Sequence, residues 1–336
     1  MVVLPDLHLP DDLLKWHPFA DNNLDIDICE RFTVIDSVIE NLKQLDIGFN
    51  FEFSSDLTSD LWLLNGGRIY IDLLCILESS TAESVAGSYD VVLQEKAIDQ
   101  LLIKVLPEVA DKYGKEKIIF YRNNVGPKGG NFHREVSYAS HHNYSYLKAK
   151  EAEIFRVIQN FIPSSLFLSG NGHVRKIGSK FRFCFSQRAG HILLAESENS
   201  TKSRGIVHKK KDPLMSKTSG YDRLHVISRD ATRCEFQTWL VDAVTHLALR
   251  LAEEGWDDYP SLARPVHVLH KTNISPFQEL SSFPVLITKG SSRFKMSLWD
   301  YSYLFLSLAK QLNPLSSQEK KALESWEWTL DVLKSG

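Results

Sequence analysis

Three carboxylates, Asp72, Glu78 and Glu83, stand at and just beyond the end of the alternating segment LWLLNGGRIYIDL at 61–73. Oxygen donors converging at a strand end suit a hard cation such as Mg²⁺, which takes oxygen ligands and helps carry phosphates. The same acids would also serve as solvated strand caps, and spacing alone leaves both readings open. Asn65-Gly66-Gly67 reads as the hairpin turn that aligns the presenting strand. Alternation then puts Arg68, Tyr70 and Asp72 on one face and Ile69, Ile71 and Leu73 on the other.

A second polar concentration is the stretch VGPKGGNFHREVSYASHHNYSY at 125–146, read as a long glycine-rich loop carrying His141 and His142. Neutral imidazoles there could hold a metal or a phosphate, or simply lie at the surface. Elements must place these groups. RFTVIDSVIENLKQL at 31–45 has helical apolar spacing, with Asp27 and Glu30 suiting its positive end. GFNFEF at 48–53 reads as extended. Residues 88–112 read as a long helix with Pro107 marking a kink or a new turn. KIIFYRNN at 117–124 reads as a strand, EAEIFRVIQNFIP as a helix ending at Pro163, and FRFCFSQR, HILLAESE and RLHVISRD as extended segments. The basic run from 199 to 222, with Lys209, Lys210 and Lys211, reads as a mobile loop. CEFQTWLVDAVTHLALRLAEEGW is a helix packed on a sheet, and the C-terminal part is helical again.

Composition narrows the class. The chain of 336 residues is 43% hydrophobic, enough to bury one large core. Its net charge of -3 gives no general reason to seek nucleic acid or a membrane surface. Cys29, Cys75, Cys184 and Cys234 show no CxxC pair and read as free thiols in a reducing compartment. The first residues have no signal-peptide pattern and no run is long and apolar enough for a bilayer span, so the expected location is cytoplasmic.

RIYIDLLCILESSTAES resembles the stretch of the Pup ligase and depupylase family in which NGARLYLD leads into HPEYATAE, with Asn65, Gly66, Arg68, Tyr70, Asp72, Glu78, Thr81, Ala82 and Glu83 matching. FYRNNVGPKGG is similar to YKNNVDGKG and carries Asn124; ASHHNYSY is similar to GCHENYL and carries His141, Asn143 and Tyr144. FCFSQRAGHI resembles YCLSQRAEHI, with Ser186, Gln187, Arg188 and His191; KSRGIVHKKKDP resembles KRGIINTRDEP, with Arg204 and Gly205. YDRLHVISRDATRCE resembles YRRLHVIVGDANLAE, giving Arg223, His225, Asp230 and Glu235. These blocks keep the family's order from about residue 61 to 240.

The resemblance implies an α+β fold, a glutamine synthetase-like curved antiparallel sheet backed by helices, formed by a single catalytic domain over 1–336. It implies an ATP- and Mg²⁺-dependent carboxylate-amine ligase working through an acyl phosphate. Asp72 would be the catalytic base or nucleophile, with Tyr70 and Arg223 beside it. Arg68, Asn124, Arg188, Arg204 and His225 would hold the nucleotide, and Glu78, His141 and Glu235 the metal. Substrates would be small-molecule or peptide carboxylates and amines, a Pup-like protein among the options. Amide hydrolysis, as in the depupylase branch, and an inactive nucleotide-binding protein are the alternatives.

The departures are specific. Leu77 and Ile76 replace proline and histidine, His142 stands where the family has glutamate, and Arg229 and Thr232 replace the glycine and asparagine of GDAN. The metal-binding GxExE strand of the family has no counterpart here. Asp25 and Asp27, preceding the first helix, are the preferred substitutes, ahead of Asn50-Phe51-Glu52 and Asp6-Leu7-His8. The small C-terminal domain of the family is expected to be absent, which points away from ordinary Pup as substrate.

Overall fold

The computed structural model describes residues 26–49, 60–72, 76–122, 124–128, 131–177, 179–198, 203–209, 219–255, 259–276 and 279–335. Backbone contacts divide it into two units: residues 1–121 with 127–134, and residues 122–126 with 135–336.

In the first unit, α1 (Ile26–Lys43) is followed by β1 (Gly48–Phe49), β2 (Asp60–Leu63), β3 (Arg68–Asp72), β4 (Ile76–Ser80) and α2 (Ser88–Lys112). The four strands form an antiparallel sheet in sequence order. Val34, Val38, Ile39 and Leu42 recur along one side of α1 and are fully buried against Leu61, Ile69 and Ile71 of the sheet, with Ile98, Val105 and Val109 from α2. Each such side chain contributes roughly 1.5–3 kcal/mol, so this layer fixes which face of the sheet is left for chemistry. The Asn65-Gly66-Gly67 turn forms as expected. Gly66 takes φ +92°, which a side chain would resist, its N–H donates to the Leu63 carbonyl at 2.9 Å, and Asn65 Oδ1 accepts from the Gly67 N–H. Helix α2 runs through Pro107 without interruption.

The ribbon of β5 (Val125–Lys128) and β6 (Asn131–Ser137) has residues in both units. The second unit continues with β7 (Ser140–Leu147), α3 (Glu151–Ser164), a short α4 (Leu166–Ser169), β8 (His173–Ile177), β9 (Lys180–Cys184), β10 (Leu194–Ser197), β11 (Gly205–His208) and β12 (Tyr221–Arg229). Then come α5 (Glu235–Glu253), β13 (Ser261–Leu262), α6 (Pro265–Ile274), β14 (Pro284–Lys289), β15 (Ser292–Ser297), α7 (Leu298–Ala309) and α8 (Ser317–Ser335). Its main sheet has the order β10-β11-β12-β7, parallel between β10 and β11 and antiparallel elsewhere. The helices pack around Phe161, whose ring meets those of Phe305 at 5.2 Å and Trp326 at 5.8 Å.

Several expectations are revised. The glycine-rich stretch is largely strand, in β5, β6 and β7, because its main chain is laddered despite its polar side chains. Residues 117–122 form no strand. The basic loop contains β11. Asp27 lies within α1 rather than ahead of it, on a helical turn instead of an extended approach. Asp25, Asn50, Glu52, Asp6, His8, Cys75, Lys210 and Lys211 lie outside the described residues. Cys184 is buried and Cys234 exposed, both as free thiols. Among the described residues no helix is long and apolar enough to cross a membrane.

Candidate functional site

In the first unit the register of β3 and β4 sets Tyr70 opposite Glu78, Asp72 opposite Ile76 and Arg68 opposite Ser80. Directly opposed residues of an antiparallel pair share a face. Asp72, Tyr70, Glu78 and Arg68 therefore stand together on the side away from the apolar layer, joined from β2 by Asp60 and Trp62. Asp72 is exposed, while Glu78 and Tyr70 are half-buried.

The Glu78 carboxyl is pushed up to about 7, by burial foremost and then by the Asp72 charge and its hydrogen bond with Asp72; the bond from Tyr70 and the Arg68 charge oppose this. Burial and the facing Glu78 push the Tyr70 phenol well up, so it stays a neutral donor at any working pH. Arg68 is held by Asp60, with Nε at 3.1 Å and Nη2 at 2.7 Å from one carboxylate oxygen, and lies 4.3 Å over the Tyr70 ring. Its cation braces this face, and a ligand contact would compete with Asp60.

In the second unit His225 on β12 pairs with Asn143 on β7 and with His208 on β11, and Arg223 pairs with Ser145. The His225 ring lies 4.9 Å from that of exposed His141 and 5.5 Å from that of His208. A row of three imidazoles thus crosses adjacent strands. His208 Nδ1 is 2.9 Å from the Ser197 carbonyl. Sequence reading did not single out His208; its position on the same face as His225 depends on the β11–β12 register. Glu235 stands exposed in the first turn of α5, where a carboxylate suits the helix's positive end.

His142 and Tyr144 occupy the opposite face of β7 from His141, because neighbouring strand positions alternate. His142 Nδ1 is 3.3 Å from the Tyr144 hydroxyl. Burial pushes the His142 imidazole down to about 4, Asp242 of α5 opposing and Arg229 assisting. Burial likewise lowers Arg229, to about 10, while Tyr144, Asp230 and Asp242 favour its charge. The two departures from the family pattern at 142 and 229 therefore sit in one buried polar network.

Arg188 is 2% exposed; its Nε donates to the Ile227 carbonyl at 3.1 Å and its Nη1 to the Ser137 carbonyl at 2.8 Å. Two of its three nitrogens thus serve the main chain. Burial and the neighbouring Arg204 charge lower the guanidinium to about 9, against the pull of Asp230. Half-buried Arg204, itself lowered by burial, is the more accessible cation of the two. Asn124 is fully buried, with its N–H on Gln187 Oε1 at 3.0 Å and its Oδ1 accepting from the Ala231 N–H at 2.7 Å. Side chains are not described for Asp27, and among the described residues no three His, Cys, Asp or Glu groups gather as a metal cluster.

A family model described as Pup-ligase protein matches residues 33–336. The chain is 30% identical over 285 residues to the Pup deamidase/depupylase of Mycolicibacterium smegmatis, covering 82% of this chain and 54% of that protein. It is 28% identical over 290 residues to a Pup–protein ligase of Mycobacterium sp. strain KMS, covering 83% and 60%. It therefore spans just over half of the first relative and three fifths of the second. Among solved structures it resembles the Pup ligase PafA in complex with ADP, with TM-score 0.68 at 22% identity over 85% of this chain and 62% of that one. PafA in complex with Pup gives TM-score 0.70 at 21% identity over 90% and 60%. At these identities the likeness is one of fold, and the α+β architecture is that of PafA.

Proposed function

The chain belongs to the Pup-ligase family, and from that premise we propose that it is an ATP- and Mg²⁺-dependent ligase that joins a carboxylate to an amine. The observation that carries this reading is the shared face of Asp72 and Glu78. Burial foremost, with the Asp72 charge beside it, raises Glu78 to about 7, and a divalent cation would relieve both carboxylates. The donor set fits Mg²⁺, which is commonly held by one or two carboxylates completed by phosphate oxygens and water. Glu78 would hold the ion, which supplies charge neutralisation for the phosphates, and exposed Asp72 beside it stays available as a base. The imidazole of His141 suits a phosphate oxygen better than so hard an ion.

In the ligase reaction the γ-phosphoryl group passes to a carboxylate oxygen and ADP leaves; the amine then attacks the acyl carbon and phosphate departs. Exposed Asp72 takes the proton lost by the attacking nitrogen. Tyr70 keeps its proton and orients Glu78. Within the second unit, Arg204, with the charge of Arg188 behind it, and His225 and Arg223 on β12 offer donors suited to phosphate oxygens. Pup is the first carboxylate to try, supported by the Pup complex of PafA.

The second reading is hydrolysis of an amide at the same face, supported by the 30% identity to a Pup deamidase/depupylase. Incubation with Mg-ATP, Pup and lysine-bearing protein, followed by mass spectrometry, tests both. A new amide with one ADP released supports ligation. Cleavage of a supplied Pup conjugate without net ADP release supports hydrolysis. Absence of both products, together with no ADP binding in calorimetry, overturns the proposal.

A further inference from the structure

Asp230 is 1% exposed, and its carboxylate accepts four hydrogen bonds. Oδ1 takes them from Ser186 Oγ at 2.8 Å and the Arg188 N–H at 3.0 Å; Oδ2 takes them from the Asn171 N–H at 3.0 Å and the Gln187 N–H at 3.1 Å. A carboxylate has about four lone-pair sites, so this one is filled. Four separated sequence blocks meet here: Ser186-Gln187-Arg188, Asp230-Ala231, Asn171 and, through Gln187 Oε1 and the Ala231 N–H, Asn124.

The hydrogen bonds continue from this carboxylate toward the surface. Ser186 Oγ, held by Asp230, accepts from the Arg188 and Ala189 N–H groups at 3.1 and 2.9 Å and starts the 3-10 turn Ala189–His191. The N–H groups of Leu193 and Leu194, which follow that turn, donate to the Arg204 carbonyl at 2.8 and 3.1 Å. Asp230 is thus linked through one short segment to the backbone of both arginines. Two neighbouring guanidiniums repel each other, so their separation has to be imposed by the surrounding framework. Asp230 also favours the charged form of Arg188 directly.

We propose that Asp230 is the positioning residue of the phosphate subsite: it touches no ligand, but anchors the segment that carries Arg188 and, through the Leu193 and Leu194 N–H groups, braces the backbone of Arg204. This rests on the nucleotide reading given above, and it assigns the buried acid of the RDAT block a role distinct from metal binding. Neutralising the carboxylate sets an amide N–H against main-chain donors, so the turn loses its anchor.

The test is calorimetric titration of ADP with Mg²⁺ into the full chain, alongside amide hydrogen exchange of the unliganded protein. Asp230→Asn should weaken ADP binding about tenfold or more and raise exchange at Gln187, Arg188 and Leu193. Ser186→Ala, a milder change that keeps the carboxylate, should move both readouts the same way by a smaller factor and serves if Asp230→Asn does not fold. Val244→Ala, a core truncation in α5, should lower thermal stability while leaving ADP affinity unchanged. Unchanged ADP affinity in Asp230→Asn and Ser186→Ala, unchanged exchange at those amides, or an equal loss of affinity in Val244→Ala overturns the role of Asp230. Wild-type protein that binds no ADP overturns the nucleotide reading itself, and the subsite with it.

Discussion

Tyr70 and Glu78 face each other across β3 and β4, and the phenol hydrogen-bonds a carboxyl that burial and Asp72 keep protonated up to about pH 7. The native state therefore holds a proton that the unfolded chain, with a carboxyl near ~4.3, has already released. Between those values the native state binds more protons, so stability falls as pH rises. In protein freed of divalent cations, denaturant unfolding at pH 5 and pH 8 should show wild type losing on the order of 2 kcal/mol from this group as pH rises, after allowance for solvent screening. Glu78→Gln should remove that loss. Equal pH dependence in wild type and variant would show that Glu78 titrates normally.

His142 has the opposite sign. The unfolded imidazole takes a proton near ~6.5, whereas the native one, packed among Tyr144 of its own strand, Arg229 of β12 and Asp242 of α5, resists until about 4. Its contribution is complete above ~6.5 and is lost as pH falls toward 4. His142→Gln should flatten the acid side of the stability profile between those values, read by unfolding at pH 7 and pH 5. A variant as acid-sensitive as wild type would place His142 in water.

Phe161 is fully buried between Phe305 and Trp326, with the Arg229 guanidinium 5.9 Å from its ring. Phe161→Ala should cost about 3–5 kcal/mol in denaturant unfolding, through lost burial and the cavity left behind. A cost under about 1 kcal/mol would mean that the α3, α7 and α8 faces repack freely.

Sequence made some of this legible and hid the rest for identifiable reasons. The β2–β3 hairpin could be read because its turn residues and two-residue alternation agree, and that alternation already placed Arg68, Tyr70 and Asp72 on one face. The partnership of Asp72 with Glu78 was visible as spacing; the shared face needed the β3–β4 register. Strand β7 reads as loop in the sequence because its inward side carries His142 and Tyr144, packed with Asp242 and Arg229, where alternation would normally show apolar residues. His208 went unnoticed because its meeting with His225 depends on strand register. The part Asn124 and Arg188 take in the buried hydrogen bonds around Asp230 is invisible in the sequence because these bonds join residues far apart in the chain.

The most direct test of the account is ADP release against amide formation with Mg-ATP, Pup and lysine-bearing protein, for wild type and Asp72→Asn in parallel. The account predicts one ADP per amide from wild type and a fall of roughly 10²–10⁴-fold in Asp72→Asn, the range expected for loss of a general base, with ADP binding retained. Turnover by Asp72→Asn at the wild-type rate would contradict it.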